Sequence, residues 1–258
     1  LASNELEAAE QAFTKCIELD PSLFRAHTSY AYTKLKQGNL VIAFQYYRRL
    51  TKANPKDPHV KSKLFECLKQ LKADYDNPDL AQDLCHYFDF DDVNYNDLAN
   101  LTTSLMAHRY QINDPDAVVD IAKLNQDKLL LTSLQKLIFH DAKLETFLTD
   151  IRQYLLLSEL QTFDNKSPEL IIAFAWQVFN NEYAFIESEA ETEVINQLSV
   201  QLAFTDIEEL IRNPQQLMLL AMYRSLNEVF SDILLKRLAN KSCDVWSESM
   251  NHLMAILL

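Results

Sequence analysis

The residues of this chain best suited to nucleophilic or metal chemistry are four cysteines and six histidines, and they are widely scattered. Metal knuckles and metalloprotease sites need close pairs such as CxxC or HExxH, and neither occurs here. We therefore predict that the cysteines are reduced packing residues and that no metal is bound. The set is Cys16, Cys67, Cys85, Cys243, His27, His59, His86, His108, His140 and His252.

Pairs of acidic residues at helical spacing could in principle bind a metal cation. A calcium site needs several oxygen ligands that converge from a loop, which a pair on one helix face does not supply. We therefore interpret these pairs as part of a solvated acidic face. Two pairs of glutamates are four residues apart: Glu187 with Glu191, and Glu189 with Glu193.

Glycine is almost absent, and this argues against cofactor sites in which the backbone of a glycine-rich loop binds the ligand. Gly38 is the single glycine of the chain, whereas loops that bind phosphates or dinucleotides use several glycines for close approach. We therefore expect no cofactor-binding site and no catalytic residues, so the chain is not expected to be an enzyme by itself. Five prolines follow residues that commonly cap helices and are expected to begin helices: Pro58, Pro78, Pro115, Pro168 and Pro214.

The first 75 residues overlay on themselves when the chain is shifted by 34 positions. The unit from Phe24 to Asp57 contains a large and a small residue side by side, Tyr30 and Ala31, before Gly38 closes a first helix. This pattern resembles the tetratricopeptide repeat, a pair of helices with the same period. The matching positions are Leu6 with Leu40, Ala9 with Ala43, Phe13 with Tyr47, Asp20 with Asn54, and Pro21 with Pro55.

The resemblance implies stacked helical hairpins, because two short amphipathic helices cannot bury their apolar faces alone. Residues 5–20 would form the second helix of one unit, and residues 58–72 the first helix of a following unit, with Phe65 at a position that is usually small. We predict an all-α fold. Tetratricopeptide-like helical hairpins of an α-solenoid, residues 1–75, are followed by a second all-helical domain, residues 76–258.

The same resemblance implies a peptide-binding groove, because first helices line the inner face of such repeats. The residues placed there are mostly basic, so the groove is expected to bind a protein or peptide with acidic or aromatic side chains. The acidic segment Asp89–Asp97 of this chain is one candidate occupant. The asparagines with which the family clamps chaperone C-termini are missing, so that ligand is not predicted. The groove residues are Arg25, Ser29, Tyr32, Lys36, His59, Lys63 and Lys69.

Helical periodicity continues beyond residue 75 without the 34-residue register. Apolar residues at helical spacing follow Asp141, which is expected to cap a helix. No run of alternating apolar and polar residues indicates a strand. Two further helix starts are predicted from capping-box spacing, and a final amphipathic helix from its apolar face. These signals are Thr205 with Glu208, Asn213 with Gln216, and Trp246 with Met250, Leu253 and Leu257.

Residues 129–229 resemble the helical region between tetratricopeptide repeats and an S-adenosylmethionine-dependent methyltransferase domain in a family of bacterial proteins. The most specific stretches are Leu144–Arg152 and Phe179–Tyr183. The resemblance implies a regulatory scaffold that recruits or orients a protein substrate for a methyltransferase domain beyond residue 258, an intramolecular partner outside this chain. A free-standing tetratricopeptide adaptor for an unrelated assembly is the alternative.

Charge divides the chain into a basic beginning and an acidic remainder. Residues 1–75 hold 12 Lys and Arg against 8 Asp and Glu, and residues 76–258 hold 12 against 29, so nets of +4 and −17 give the total of −13. Nonspecific nucleic-acid binding depends on cations that neutralise phosphates, so it is not expected. Apolar runs are too short to cross a bilayer, and residues 1–10 show no signal peptide. We therefore predict a cytoplasmic protein without a membrane span.

Overall fold

The computed structural model describes residues 2–162, 168–242 and 251. Regular structure in these residues is helical throughout and includes no strand, which confirms the predicted all-α class. The contacts divide the chain into two compact units, Leu1–Arg109 and Tyr110–Leu258. The first unit therefore extends well beyond the boundary that was expected after residue 75.

The described part of the first unit is a series of α-helices with one short 3₁₀ helix. Its elements are α1 (Ala2–Leu19), α2 (Phe24–Lys36), α3 (Leu40–Ala53), α4 (Pro58–Leu68), α5 (Pro78–Tyr87), the 3₁₀ helix (Tyr95–Leu98) and α6 (Ala99–Arg109). Each of the first four helices packs against its neighbours in the chain. The unit therefore begins as successive helical hairpins, as the repeat pattern predicted.

The turn between α2 and α3 depends on Gly38. Its φ is 78°, which lies in the left-handed region that favours glycine. Gly38 donates its backbone N–H to the carbonyl of Leu35, and Asn39 donates to that of Lys34. These two bonds form a Schellman motif, which ends α2 and reverses the chain into α3.

Small residues allow α2 and α3 to approach closely. Ala31 of α2 and Ala43 of α3 are fully buried, as is the Tyr47 side chain one turn after Ala43. Tyr30 and Tyr46 pack across the hairpin with ring centroids 4.7 Å apart. This alternation of large and small side chains lets the two helices pack closely.

The helix α5 belongs to the first unit because it is tied to α3 and α4. Asp83 of α5 is buried and forms ion pairs with Arg48 and Lys52 of α3, the second with an N–O distance of 2.9 Å. A buried carboxylate is stable only with such partners, so α5 stays beside α3. Phe65 of α4 also packs near Tyr87 of α5, with ring centroids 6.3 Å apart. The domain boundary predicted from the end of the repeat register overlooked these contacts.

The described part of the second unit consists of nine α-helices. They are α7 (Ile121–Leu124), α8 (Lys128–Lys136), α9 (Ala142–Thr162), α10 (Pro168–Asn180), α11 (Glu189–Ala203), α12 (Ile207–Arg212), α13 (Gln215–Ala221), α14 (Leu226–Val229) and α15 (Asp232–Ser242). The helix α10 packs against α8, α9 and α13. All its residues from Leu170 to Ala175 are buried, because a helix that is apolar on every side must be covered by others.

Side-chain caps decide where the helices of the second unit begin. Asp141 accepts the backbone N–H of Leu144 at 2.9 Å, as predicted. The prediction of a Thr205 cap is wrong, because Asp206 accepts the N–H of Glu208 at 2.8 Å and begins α12 one residue later. An aspartate caps with a charged oxygen, which makes the stronger hydrogen bond.

Two other predicted helix starts also need correction. Pro115 begins no helix, because the side chain of Asp114 accepts the N–H of Asp116 at 3.0 Å and forms a turn. Asn213 does not cap α13, because its backbone N–H bonds to the carbonyl of Glu209 and so ends α12. Some predicted residues lie outside the described part of the chain: Cys243, Trp246, Met250, His252, Leu253 and Leu257.

Candidate functional site

The helices α2 and α4 bring Tyr32 together with two lysines. The centroid of the Tyr32 ring lies 5.2 Å from Nζ of Lys36 and 5.5 Å from Nζ of Lys63. Lys36 follows Tyr32 by one turn of α2, whereas Lys63 comes from α4. Each ammonium group is close enough to be attracted by the electron-rich face of the ring. Packing of the two helices thus completes a site that neither helix holds alone.

Arg25 and Ser29 continue this site along α2, because residues at spacings of four, three and four lie on one face of a helix. Tyr32 is 41% exposed, and Arg25 and Lys36 are also exposed, so solvent reaches the site. We call it the Tyr32 surface and define it as Arg25, Ser29, Tyr32, Lys36 and Lys63.

The positive charge of the Tyr32 surface is only partly neutralised. Lys63 donates from Nζ to a carboxylate oxygen of Glu66 at 2.6 Å. In the ranges that the structure describes, neither Arg25 nor Lys36 forms an ion pair with a carboxylate. The surface therefore carries an excess of positive charge that attracts an anionic group.

Tyr47 and Cys67 lie near the Tyr32 surface but are buried. Burial raises the pKa of the Tyr47 hydroxyl, and Cys67, Glu66 and Tyr32 add to this effect. Burial also raises the pKa of the Cys67 thiol to about 12, again with a contribution from Glu66. A thiol that stays protonated at neutral pH is a poor nucleophile. Cys67 is therefore a packing residue, as predicted, whereas Cys16 is exposed and the same prediction is wrong for it.

Lys69 has other surroundings than the rest of the predicted groove, whereas His59 lies one turn before Lys63 on α4. Nζ of Lys69 lies 3.5 Å from Oδ1 of Asp97, and Asn100 donates to the Lys69 carbonyl at 3.1 Å. His59 is exposed in the first turn of α4, where its backbone N–H bonds to Asp57 at 2.9 Å. The five residues of the Tyr32 surface thus lie together, whereas Lys69 pairs with an acidic residue, and the binding role of all seven stays a prediction.

The acidic segment Asp89–Asp97, which was predicted as an occupant of the groove, lies against α4. Nζ of Lys61 is 5.4 Å from the centroid of the Phe90 ring, and Asp97 pairs with Lys69. The segment therefore contacts the side of α4 that carries Lys61 and Lys69. A cavity of about 220 Å³ lies beside this contact and is lined by Pro58, Lys61, Ser62, Phe65, Asp92, Val93, Asn94 and Asp97.

A buried cation lies in the second unit, at the end of the Leu144–Arg152 stretch. The guanidinium carbon of Arg152 is 3.8 Å from the centroid of the Phe185 ring and 5.0 Å from that of Tyr223. Its Nη2 donates to the carbonyl of Ile186 at 2.8 Å. Aromatic faces and a carbonyl thus replace water around the charge, and they hold the segment between α10 and α11 in place.

Glu191 is the acidic member of this network and is only 1% exposed. It accepts hydrogen bonds from the hydroxyl of Tyr223 at 2.6 Å and from the N–H of Ser188 at 2.7 Å. Ser188 in turn accepts the N–H of Glu191 at 3.2 Å, which completes a capping box. The expected solvated face is therefore wrong for Glu191. The Ser-x-x-Glu spacing at these positions was a signal that could have revealed it.

Glu187 is bound by Arg224 through two hydrogen bonds, of which the bond between Nη2 and Oε2 is 2.9 Å long. This bidentate pairing lowers the pKa of Glu187, although burial opposes the shift. Glu187 and Glu191 thus each have protein partners. Within the described ranges, no group of three or more His, Cys, Asp or Glu is arranged to hold a metal ion.

The Phe179–Tyr183 stretch forms the end of α10. Glu182 and Tyr183 both have positive φ, at 53° and 58°. The backbone N–H of Tyr183 bonds to the carbonyl of Val178 at 2.9 Å, and the side chain of Asn180 donates to the carbonyl of Gln135 at 2.8 Å. The polar residues of this stretch satisfy a helix end and turn the chain toward the Arg152 network.

Comparison with known proteins identifies no family. No protein-family model matches the chain, and neither curated proteins nor solved structures give a significant match. The resemblances to tetratricopeptide repeats and to a methyltransferase-associated region therefore stay predictions. No helix in residues 2–162 and 168–242 is both long and apolar enough to cross a bilayer.

Proposed function

We propose that this chain is a protein-interaction scaffold whose Tyr32 surface captures an acidic peptide. The observation that carries the proposal is the exposed Tyr32 ring, which lies close to the ammonium groups of both Lys36 and Lys63. A peptide carboxylate beside these lysines forms charge-assisted hydrogen bonds, which are stronger than neutral ones. An aromatic side chain of the same peptide packs on the Tyr32 ring. Exposed Arg25 on the same face of α2 extends the attraction along the peptide.

The captured peptide belongs, in this proposal, to a protein substrate that the second unit helps to orient for a methyltransferase domain beyond residue 258. The resemblance of residues 129–229 supports this extension, and the peptide-binding role stands without it. The downstream coding sequence tests it. Alternating strands and helices with a glycine-rich first turn support a methyltransferase, whereas a stop codon after residue 258 favours the free-standing adaptor.

Fluorescence anisotropy with a labelled peptide of sequence DFDDVNYND tests the capture of acidic peptides. This copy of Asp89–Asp97 carries four carboxylates and two aromatic rings. We expect saturable binding that weakens as salt rises through about 0.15 M, because exposed charges are screened over a Debye length. A peptide with asparagine at the four aspartate positions is expected not to bind.

Paired charge removal locates the binding surface. We expect Lys36→Gln with Lys63→Gln to weaken binding about tenfold or more, because two charged contacts are lost. Lys56→Gln with Lys72→Gln removes the same charge from exposed positions elsewhere in the first unit and serves as the control. If both double variants bind equally, net charge rather than the Tyr32 surface attracts the peptide, and the proposal fails.

A further inference from the structure

The exposed side chains of α2 lie in one line along the helix. Arg25, Tyr32 and Lys36 are exposed, whereas every other residue of α2 is buried or partly buried. Their spacings of seven and four positions place them on one face, because about seven residues make two turns of an α-helix and about four make one. The line therefore presents a cation, an aromatic ring and a second cation, in that order.

The rise of the helix sets the separations along this line. At about 1.5 Å per residue, the seven positions from Arg25 to Tyr32 span about 10 Å, and the four from Tyr32 to Lys36 span about 6 Å. An extended peptide rises about 3.3 Å per residue, so about three of its residues match the first interval and about two match the second. The helix thus fixes the positions at which a peptide alongside it must carry acidic and aromatic side chains.

The charges at the two ends of the line favour the same arrangement. In the ranges that the structure describes, no carboxylate forms an ion pair with Arg25 or Lys36. Ser29, between Arg25 and Tyr32, is small and partly buried, which leaves room for a peptide backbone. An anionic group is therefore attracted to each end of the line, with the ring of Tyr32 between them.

We propose that the occupant of the Tyr32 surface is an extended peptide with one aromatic residue between two acidic residues, three positions from one and two positions from the other. One acidic side chain pairs with Arg25 and the second with Lys36, while the aromatic side chain packs on the ring of Tyr32. The peptide is extended because so short a chain does not form a stable helix in water. This inference rests on the proposed capture of acidic peptides and adds the spacing that the surface selects.

Two peptides of identical composition separate the effect of spacing from that of charge. The segment Asp89–Asp97 contains the proposed spacing once, at Asp92, Tyr95 and Asp97. The peptide NFNDVNYND keeps these three residues and has asparagine at the other two aspartate positions. The peptide DFDNVNYNN instead has asparagine in place of Asp92 and Asp97. Both peptides carry two carboxylates and two aromatic rings, and both are blocked at their ends.

Fluorescence anisotropy with these labelled peptides measures the preference. The reversed sequence DNYNVDNFN is included, because it offers the same spacing to a surface on which the peptide runs in the opposite direction. We expect one of the two spaced peptides to bind at least about tenfold more tightly than DFDNVNYNN, since one additional bond between charged groups is enough for that difference. Affinities of all three peptides within about twofold of one another overturn the spacing and leave peptide capture intact. If DFDDVNYND does not bind, the proposed function itself fails.

Loss of Arg25 is expected to remove the preference. With Arg25→Gln, the affinities of the preferred spaced peptide and DFDNVNYNN should differ by less than about threefold, because one of the two acidic contacts is gone. Arg49→Gln removes the same charge from an exposed position of α3 outside the Tyr32 surface, and it should keep the full preference. A preference that Arg25→Gln leaves unchanged would show that the spacing is not recognised along α2, and it would overturn the inference.

Discussion

At the scale of single residues, the second unit depends on two buried charged side chains, Arg152 and Glu191. Both lie beside the ring of Tyr223. Tyr223 donates its hydroxyl to Glu191 at 2.6 Å, and its ring lies 5.0 Å from the guanidinium carbon of Arg152. Burial raises the pKa of Tyr223, and the bond to Glu191 raises it further. The hydroxyl therefore stays protonated and remains a donor over the pH range in which proteins fold.

Removal of this hydroxyl should destabilise the protein. We expect Tyr223→Phe to lower the free energy of unfolding in urea by about 2 kcal/mol, because a buried carboxylate loses a charge-assisted hydrogen bond while the ring stays in place. Tyr154 is 56% exposed, so Tyr154→Phe is the matched control and should change stability by less than about 0.5 kcal/mol. Equal effects of the two substitutions would show that Tyr223 is not a structural donor.

The ion pair of Glu187 with Arg224 predicts a pH dependence of stability. Pairing lowers the pKa of Glu187 in the folded state. Its stabilisation is therefore complete above the unfolded-state pKa of about 4.3 and is lost as the pH falls through the lower folded value. We expect the difference in Tm between the wild type and Glu187→Gln to be largest near neutral pH and to narrow from about pH 5 to about pH 3.

Thermal melts followed by circular dichroism at several pH values measure this difference. Glu193→Gln serves as the control, because Glu193 is exposed on α11 and has no arginine partner among the described residues. Its difference from the wild type should stay small at every pH. A Glu187→Gln difference that does not narrow in acid would contradict the role of the ion pair.

At the scale of elements, the hairpin of α2 and α3 is held by close contact rather than by polar bonds across the two helices. Ala31 and Ala43 are fully buried, and the ring of Tyr46 packs on Tyr30. Since the contact between α2 and α3 is tightly packed, a larger side chain at position 43 can be accommodated only if a helix moves.

A tryptophan at this contact should therefore be costly. We expect Ala43→Trp to lower the free energy of unfolding by at least about 2 kcal/mol, because overpacking forces the backbone or side chains from their preferred positions. Gln45→Trp places the same side chain on the exposed side of α3 and is the control. Chemical denaturation compares the two. An unchanged midpoint for Ala43→Trp would remove the main support for the close hairpin.

At the scale of the whole molecule, the division between the two units falls at the start of the connection between α6 and α7. It comprises the irregular residues 110–120, and Val118 within it is 94% exposed. Both units have their own buried apolar core, so each is expected to resist proteolysis longer than this connection.

Limited digestion with thermolysin, which cuts before large apolar residues, tests this division. We expect the first cut at Val118, because cleavage needs an extended and exposed backbone. Mass spectrometry of the fragments locates the cut. Val118→Ser with Val119→Ser should slow it, and a first cut inside one of the described helices would contradict the assignment of the units.

The sequence by itself determined the helical class and many helix ends. Gly38 predicted the end of α2, and Asp57 and Asp141 predicted helix starts, since Asp57 accepts the N–H of His59 and Asp141 that of Leu144. These features could be predicted because a helix end is satisfied by residues within a few positions along the chain. The repeat register likewise predicted the hairpins, since its period reflects the apolar faces that must be buried.

Only the tertiary structure decided which side chains meet across helices. Tyr32 and Lys63 come from different helices, and Arg152 and Tyr223 are even further apart in the chain. No helical period relates such positions, because their contact depends on how the helices pack. The same reason applies in part to Glu191: its capping box with Ser188 could be predicted from the sequence, but its bond from Tyr223 could not. Its carboxylate can be buried only because folding supplies the donors that replace water.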